Sequence, residues 1–275
     1  MQYLRAASRR AIAEARQRLD RYLDGATEAD AARLGEELFA AVDLLSGEPV
    51  LRRHLADPAT DGEERKRLLN AVFARLLSKP TMQVLEGMVG SRWSQPRDLM
   101  EAAETLGRLA MLVVAQKQGV IEDVEDELFR AGRLVDREPR LRSLLADRTV
   151  PAGKRVELLR AVISGKVHPT TQRLLVRAVQ APHGIGLDRS AEQLAALAAE
   201  RRERSVARVS TPVALTDEQL ERLAAALSRI YGRQMSLQVE LDEDLIGGLV
   251  VRVGDEVIDG SIAGRLAAAG QRLPR

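Results

Sequence analysis

The sequence predicts a mainly α chain: two tandem helical bundles, formed by duplication of the N-terminal domain, followed by a small α+β C-terminal domain. Three observations carry this. Up to about Arg204, apolar residues recur at three- and four-residue steps in a background rich in Ala, Leu, Arg and Glu. Short motifs within that region repeat at a fixed offset. Near Val206 the apolar period changes from the helical 3.6 to the 2 of a half-buried strand.

The helices come first. Leu99, Ala103, Leu106, Ala110 and Val113 form one apolar stripe, and Met111, Leu112 and Val114 widen it, so the helix from Leu99 to Lys117 is expected to be buried on more than one face. Its neighbours are punctuated by Gly47-Glu48-Pro49, Asp57-Pro58, Lys79-Pro80, Gln95-Pro96, Glu138-Pro139, Val150-Pro151, His168-Pro169 and Ala181-Pro182. These breakers are not randomly placed. Glu37-Leu38-Phe39 returns as Glu127-Leu128-Phe129, Glu48-Pro49 as Glu138-Pro139, and Leu55-Ala56-Asp57 as Leu145-Ala146-Asp147, each 90 residues on. Arg65 with Leu68-Leu69 and Val72 returns as Arg155 with Leu158-Leu159 and Val162, while Pro80-Thr81 returns as Pro169-Thr170 with a slip of one residue. One helical module has been duplicated. The reading divides the chain into a first bundle at 1–117, a second at 99–204 that shares the helix 99–117, and an α+β domain at 205–275.

In that last domain, Ala207, Val209, Thr211 and Val213 alternate with polar residues, as do Met235, Leu237, Val239 and Leu241. Between these strands, Thr216 with Gln219 is a capping box opening a helix whose stripe is Leu220, Leu223, Leu227 and Ile230. Leu249 to Val253 and Val257-Ile258 read as two strands about a tight turn at Gly254-Asp255-Glu256, and Ser261 to Leu273 as a final short helix.

Composition excludes whole classes of function. The 275 residues suffice for about two domains, and with 45% hydrophobic and 30% charged residues the chain is globular. It contains no Cys, which removes disulfides, thiolate metal sites and cysteine nucleophiles. Lys+Arg number 42 against 40 Asp+Glu, so no large net field draws it to nucleic acid. The longest apolar run, Leu109 to Ala115, is far short of a membrane span, and the N-terminus lacks the apolar core of an export signal.

Each catalytic or binding template fails on a specific residue. His54, His168 and His183 are too scattered for a local metal motif. Gly247-Gly248 to Gly254 has the wrong spacing for a phosphate loop and is followed by Asp255 in place of Lys, and Gly184-Ile185-Gly186 has no preceding strand. Asp242-Glu243-Asp244 opens like a calcium loop, but Val253 stands where the bidentate carboxylate belongs. Ser261 in Gly260-Ser261-Ile262-Ala263-Gly264 is one place early for a nucleophile elbow, so Asp259 and Ser261 are expected to bond local backbone at a strand-to-helix junction. The acidic run Glu122 to Glu127 reads as a solvated helix face, and Arg201-Arg202-Glu203-Arg204 has no interleaved aromatics.

The run from Leu245 to Leu266, containing Gly247, Gly248, Gly254, Asp259, Gly260 and Ser261, resembles the signature of the delta-subunit (oligomycin-sensitivity-conferring protein) family of rotary ATP synthases. Thr211 to Leu220 is similar to the family's approach to this run, and Leu145-Ala146-Asp147 with Lys154-Arg155 to its helical domain, so the resemblance covers about Leu99 to the end. The extra N-terminal copy resembles the actinobacterial members, and with no membrane segment ahead of it the chain resembles their unfused form.

The resemblance implies a non-catalytic stator part with no cofactor and no metal. Its helical domain would bind amphipathic N-terminal helices of the alpha subunits, and its C-terminal domain the end of a b-type peripheral-stalk subunit. It implies a place at the cytoplasmic face of the bacterial plasma membrane, held there through the complex. Helix-in-groove docking needs an apolar furrow. Leu109, Leu112 and Val113 are the candidate partner-facing residues, with plain core packing as the other reading of the same stripe. The rival class is an Arg-rich helical regulator binding nucleic acid.

Overall fold

A computed structural model describes residues 5–182, 184–203, 206–231, 235–242, 244–254 and 256–262. The chain divides into two compact units, Met1–Ala195 and Ala196–Arg275.

Helices α1 (Ala6–Gly25), α2 (Glu28–Gly47), α3 (Pro49–Ala56), α4 (Gly62–Phe73), α5 (Lys79–Gly90) and α6 (Pro96–Lys117) form the first repeat. Helices α7 (Ile121–Arg137), α8 (Pro139–Ala146), α9 (Ala152–Ile163), α10 (Pro169–Gln180) and α11 (Leu187–Glu203) continue the second. The pairs α3/α8, α4/α9 and α5/α10 begin and end 90 residues apart, and α6 begins 90 residues after α1. So α6 is both the last helix of one repeat and the first of the next.

The helix starts follow from local chemistry. Thr27 and Asp30 cap α2 reciprocally. Asp61 accepts from the Glu63 amide at the start of α4. Prolines stand in the first turns of α3, α5, α6, α8 and α10, where an amide hydrogen has no partner to lose. In both repeats a glutamate from a neighbouring helix completes a cap. Glu37 accepts from the Ser78 amide at 2.9 Å and the Thr81 hydroxyl, and Glu127 accepts from the His168 amide at 2.9 Å and the Thr171 hydroxyl. These bonds keep the offset of 90 through the point where the prolines slip. The slip is therefore no insertion or deletion. Proline has moved from the second to the first position of the same helical turn, and either position tolerates it.

Between Asp98 and Ala115 only Glu101 and Thr105 of α6 are less than buried, as a helix with neighbours on every side requires. The two repeats accordingly pack as one unit around it, and the contact boundary falls at Ala195, inside α11, rather than at 204/205. The closest crossing is α2 on α6. There Gly35 and Gly107 face each other, and a methyl group on Gly107 would lie 2.6 Å from the Phe39 ring.

The second unit holds a four-stranded sheet in the order β2-β1-β3-β4. Strand β1 (Val206–Thr211) runs parallel to β2 (Ser236–Leu241) through the crossover helix α12 (Asp217–Tyr231), and antiparallel to β3 (Val250–Val253), which pairs with β4 (Glu256–Asp259). The expected capping box is formed: the Thr216 amide donates to Gln219 at 2.9 Å and the Gln219 amide to Thr216 at 3.3 Å. The core is Ala207, Val209, Leu227, Met235, Val251 and Val253, with Leu223, Tyr231 and Leu237 against it.

Two expectations need correction. Ile230 is 66% exposed and Tyr231 takes its place, because at 100° per residue Ile230 lies about 80° from Leu220 while Tyr231 lies about 20° away. Strand β2 forms, but Leu241 is 65% exposed, since β2 is an edge strand and only Leu237 of its apolar face reaches the core. Residues 263–273 of the expected final helix lie outside the described residues, as do His183, Arg204, Glu243 and Asp255.

Candidate partner-docking surfaces

The signature residues of the second unit are structural in their contacts. The backbone runs on past β3 and β4 as a tight pairing: the Gly260 amide donates to Leu249 and the Ile262 amide to Gly247, both at 2.9 Å. Gly248 has φ +83°, and a Cβ there would lie 2.5 Å from the Gly260 carbonyl, so no other residue fits without moving the chain. Gly254, with φ +57°, supplies the left-handed residue at the β3–β4 turn. Asp259 accepts the Ser261 amide at 2.9 Å, and hydrogen bonds from Ser261, side chain before backbone, hold its carboxyl below the ordinary range. Asp242 closes a similar turn by accepting the Asp244 amide.

Leu109, Leu112 and Val113 are buried within the chain itself. The repeat explains why. Leu109 and Val113 stand 90 residues after Leu19 and Leu23, which are core residues of α1, so they do for the second repeat what those do for the first. The weight passes to core packing, and partner-facing surface must lie elsewhere.

One such surface is an open groove of about 560 Å³ between α1 and α5. Its floor is lined by small residues, Ala7 and Ala11 from α1 and Gly87 and Gly90 from α5. Arg10, Arg18, Lys66 and Arg92 outnumber Glu14 and Glu86 around it. The corresponding side of α10 in the second repeat lines a smaller recess of about 370 Å³, which α2 borders through Glu36, Phe39, Ala40 and Asp43. There Arg177 replaces Gly87. Its guanidinium donates to both carboxylate oxygens of Asp43 at 2.7–2.8 Å and to Glu104 at 2.8 Å, and lies 4.8 Å from the centre of the Phe39 ring. Arg173 adds an ion pair to Glu36. Thus α2 of the first repeat borders, on the second, the face whose counterpart on the first repeat has no such helix beside it. Periodicity could not find either feature, because both depend on where the two copies differ; aligning the repeats and asking what replaced Gly87 would have.

The second unit carries a polar recess of about 380 Å³ lined by Arg202, Arg208, Gln238 and Arg252 among others. Many surface cations elsewhere are already in ion pairs one helical turn away, such as Arg10–Glu14, Arg33–Glu37, Arg97–Glu101 and Arg130–Asp126. That interleaving is unlike the one-signed stripe that grips phosphates. Among the described residues no group of three or more His, Asp or Glu is placed to hold a metal ion, and no helix is long and apolar enough to cross a membrane.

Helical repeats wound on a shared helix, open grooves between the described helices, and a signature spent on holding a hairpin together are the features of a structural, partner-binding class of protein. The comparisons give the particular kind. The family description ATP synthase delta (OSCP) subunit matches residues 109–273, which begins inside α6 and takes in the second repeat and the sheet. The ATP synthase subunit delta of Streptomyces griseus is 46% identical over 270 residues, covering 98% of this chain and 99% of its own. That of Streptomyces avermitilis is 48% identical over 267 residues, 97% of each, and that of Corynebacterium glutamicum 45% over 264 residues, 96% and 97%. The chain belongs to the ATP synthase delta (OSCP) subunit family. It is a non-catalytic, peripheral-stalk subunit of that membrane-associated complex.

Proposed function

We propose that this subunit ties the catalytic head to the stalk by gripping one partner with each unit. The tandem bundles, taken as 1–117 and 99–204, hold an amphipathic N-terminal helix of an alpha subunit; the α+β domain, taken as 205–275, receives the end of a b-type subunit. The subunit works at the cytoplasmic face of the bacterial plasma membrane, without entering the membrane or binding nucleic acid. A stator must resist the torque of the rotor, so each grip needs an interface above roughly 1,000 Å².

The observation that carries this reading is the α1/α5 groove. It has the small-residue floor that lets a helix approach closely and an unbalanced cationic rim to orient it. For the second unit, support comes from the apolar residues it leaves exposed on both edge strands, Val239, Leu241 and Val257.

The chain has no cysteine, so single ones can be introduced cleanly. In the assembled complex, Arg10→Cys at the groove is expected to cross-link to the alpha subunit through a short thiol-to-amine reagent, whereas Arg142→Cys on α8 is not. Cross-linking of Arg10→Cys to b alone, or to no partner, would overturn the groove's role.

A further inference from the structure

The sheet of the second unit has one covered face and one open face. Side chains alternate along each strand, and Ala207, Val209, Thr211, Val251 and Val253 are buried. The residues between them, Arg208, Ser210 and Arg252 among them, are not. The registers align this open face in transverse rows. One row runs Gln238, Arg208, Arg252, Val257 across all four strands, and the next runs Glu240, Ser210, Val250, Asp259.

Arg208 and Arg252 are therefore direct cross-strand neighbours in the middle of the sheet. Two cations so placed repel and weaken the pairing. Among the described residues neither makes an ion pair, unlike the helix cations that a glutamate one turn away neutralises. The recess of about 380 Å³ lies over this row, and the end of α11 lines it with Arg202 and one carboxylate, Glu203. Arg204 and Asp255, outside the described residues, add one charge of each sign to the chain there. The recess is left cationic, while the neighbouring row carries acids at both edges.

We propose that the open face of this sheet receives an acidic end of the b-type subunit, with its carboxylates lying across Arg208 and Arg252 in charge-assisted pairs and Gln238 beside them. This rests on the second unit's receiving b, as proposed above, and adds the face and the chemistry. Charge complementarity selects the occupant. A polyanion would meet Glu240 and Asp259 one row away, whereas a peptide with a few carboxylates and an apolar residue over Val257 fits the row as it stands. The order of the rows also sets the direction of docking: the acidic residues lie over Arg208 and Arg252, and neutral or basic ones over Glu240 and Asp259.

Every lysine of the chain lies between Lys66 and Lys166, so the second unit has no side-chain amine of its own. Arg252→Lys keeps the charge at an exposed position and introduces one. In the assembled complex a zero-length carbodiimide, which joins an amine to a carboxylate in contact with it, is expected to link Arg252→Lys to b through an Asp, Glu or terminal carboxyl. Arg222→Lys, exposed on α12, is expected to stay unlinked to b. Reversing the row with Arg208→Glu and Arg252→Glu is expected to weaken binding of the full chain to the purified b-type subunit at least about tenfold, while Arg208→Lys with Arg252→Lys retains it. Arg208→Gln with Arg252→Gln moves affinity the same way should the reversed variant fold poorly. A carbodiimide link only to the chain's own carboxylates, equal linking from Arg222→Lys, or binding unmoved by loss of both charges would each overturn the proposal. Leu241→Cys, on the exposed edge of β2, separates this from the reading beneath it. If a thiol-to-amine reagent links Leu241→Cys to b while Arg252→Lys stays unlinked, the second unit receives b by another face; if neither links to b, the reading falls and the proposal with it.

Discussion

Glu37 shows how much of this fold is held by single carboxylates at helix starts. Burial works to raise its pKa, yet hydrogen bonds from Ser78, Thr81 and Arg33 win and hold it at about 2. A folded-state pKa below the unfolded value of 4.5 means that the unfolded chain takes up the proton first. The stability Glu37 contributes is then complete above about pH 4.5 and is lost as the pH falls towards 2. Glu37→Gln keeps an acceptor but not the charge, so it should cost about 1–2 kcal/mol at pH 7. Urea midpoints followed by Trp93, buried in the first unit with its indole donating to Met88 at 2.7 Å, should show the gap between the two proteins closing between pH 4.5 and 2.5. A gap independent of pH would contradict the assignment. The repeated Glu-Leu-Phe motif flagged this residue as part of the duplication, but its task was illegible: a cap supplied from 41 residues away leaves no local spacing to read. The signature glycines were the reverse case, since a residue such as Gly248 is specified by its own backbone angle and the approach of Gly260.

For helices, what could be read was the period, and what could not was the neighbour. The wide apolar stripe of α6 announced burial on more than one face, and α6 is buried nearly end to end. Nothing in the stripe said that Leu109, Leu112 and Val113 meet the chain's own core and not a partner, because an apolar residue looks the same facing either. The crossing of α2 on α6 makes the point with glycines. Gly107 gives up helix propensity, which Ala would improve by about 1 kcal/mol. A methyl group there would press on two carbons of the Phe39 ring, 2.6 and 2.8 Å away, and Phe39 is pinned from behind by Arg177. Overpacking of that kind costs about 1–3 kcal/mol and should outweigh the gain. Gly107→Ala is expected to lower stability, and Phe39→Leu, though harmful alone, to make it neutral or favourable. Chemical unfolding of the four proteins in this cycle measures the coupling; additive effects would mean that α2 can shift away from α6 without cost.

At the scale of the whole molecule the question is whether a duplicated bundle is two bundles or one. Registering α1 on α6 answers it. The face that α1 buries, Ala11, Ile12, Leu19 and Leu23 among others, maps 90 residues on to Glu101, Ala102, Leu109 and Val113. That is the face α6 needs as first helix of the second repeat. Leu99, Leu106, Met111 and Val114 are also buried, whereas their counterparts on α1, Arg9, Arg16, Arg21 and Asp24, are not, and Met111 lies beside Gly35 of α2. A fragment of residues 96–275 has every helix of the second repeat and the sheet, yet it is expected to uncover these four, as the polar residues at the same positions of α1 are not buried. At about 1.5–3 kcal/mol for each large apolar side chain, four of them rival the 5–15 kcal/mol by which a domain is stable. The fragment is therefore expected to bind a hydrophobic dye and to lose the sharp thermal transition of the full chain. Replacing those four residues by Gln or Glu should restore both solubility and cooperativity, because α1, the first helix of the first repeat, carries Arg9, Arg16, Arg21 and Asp24 at the same positions. If the unaltered fragment melts as sharply as the full chain, the second repeat is a domain in its own right, and the extra copy is an attachment to it and not half of a shared core.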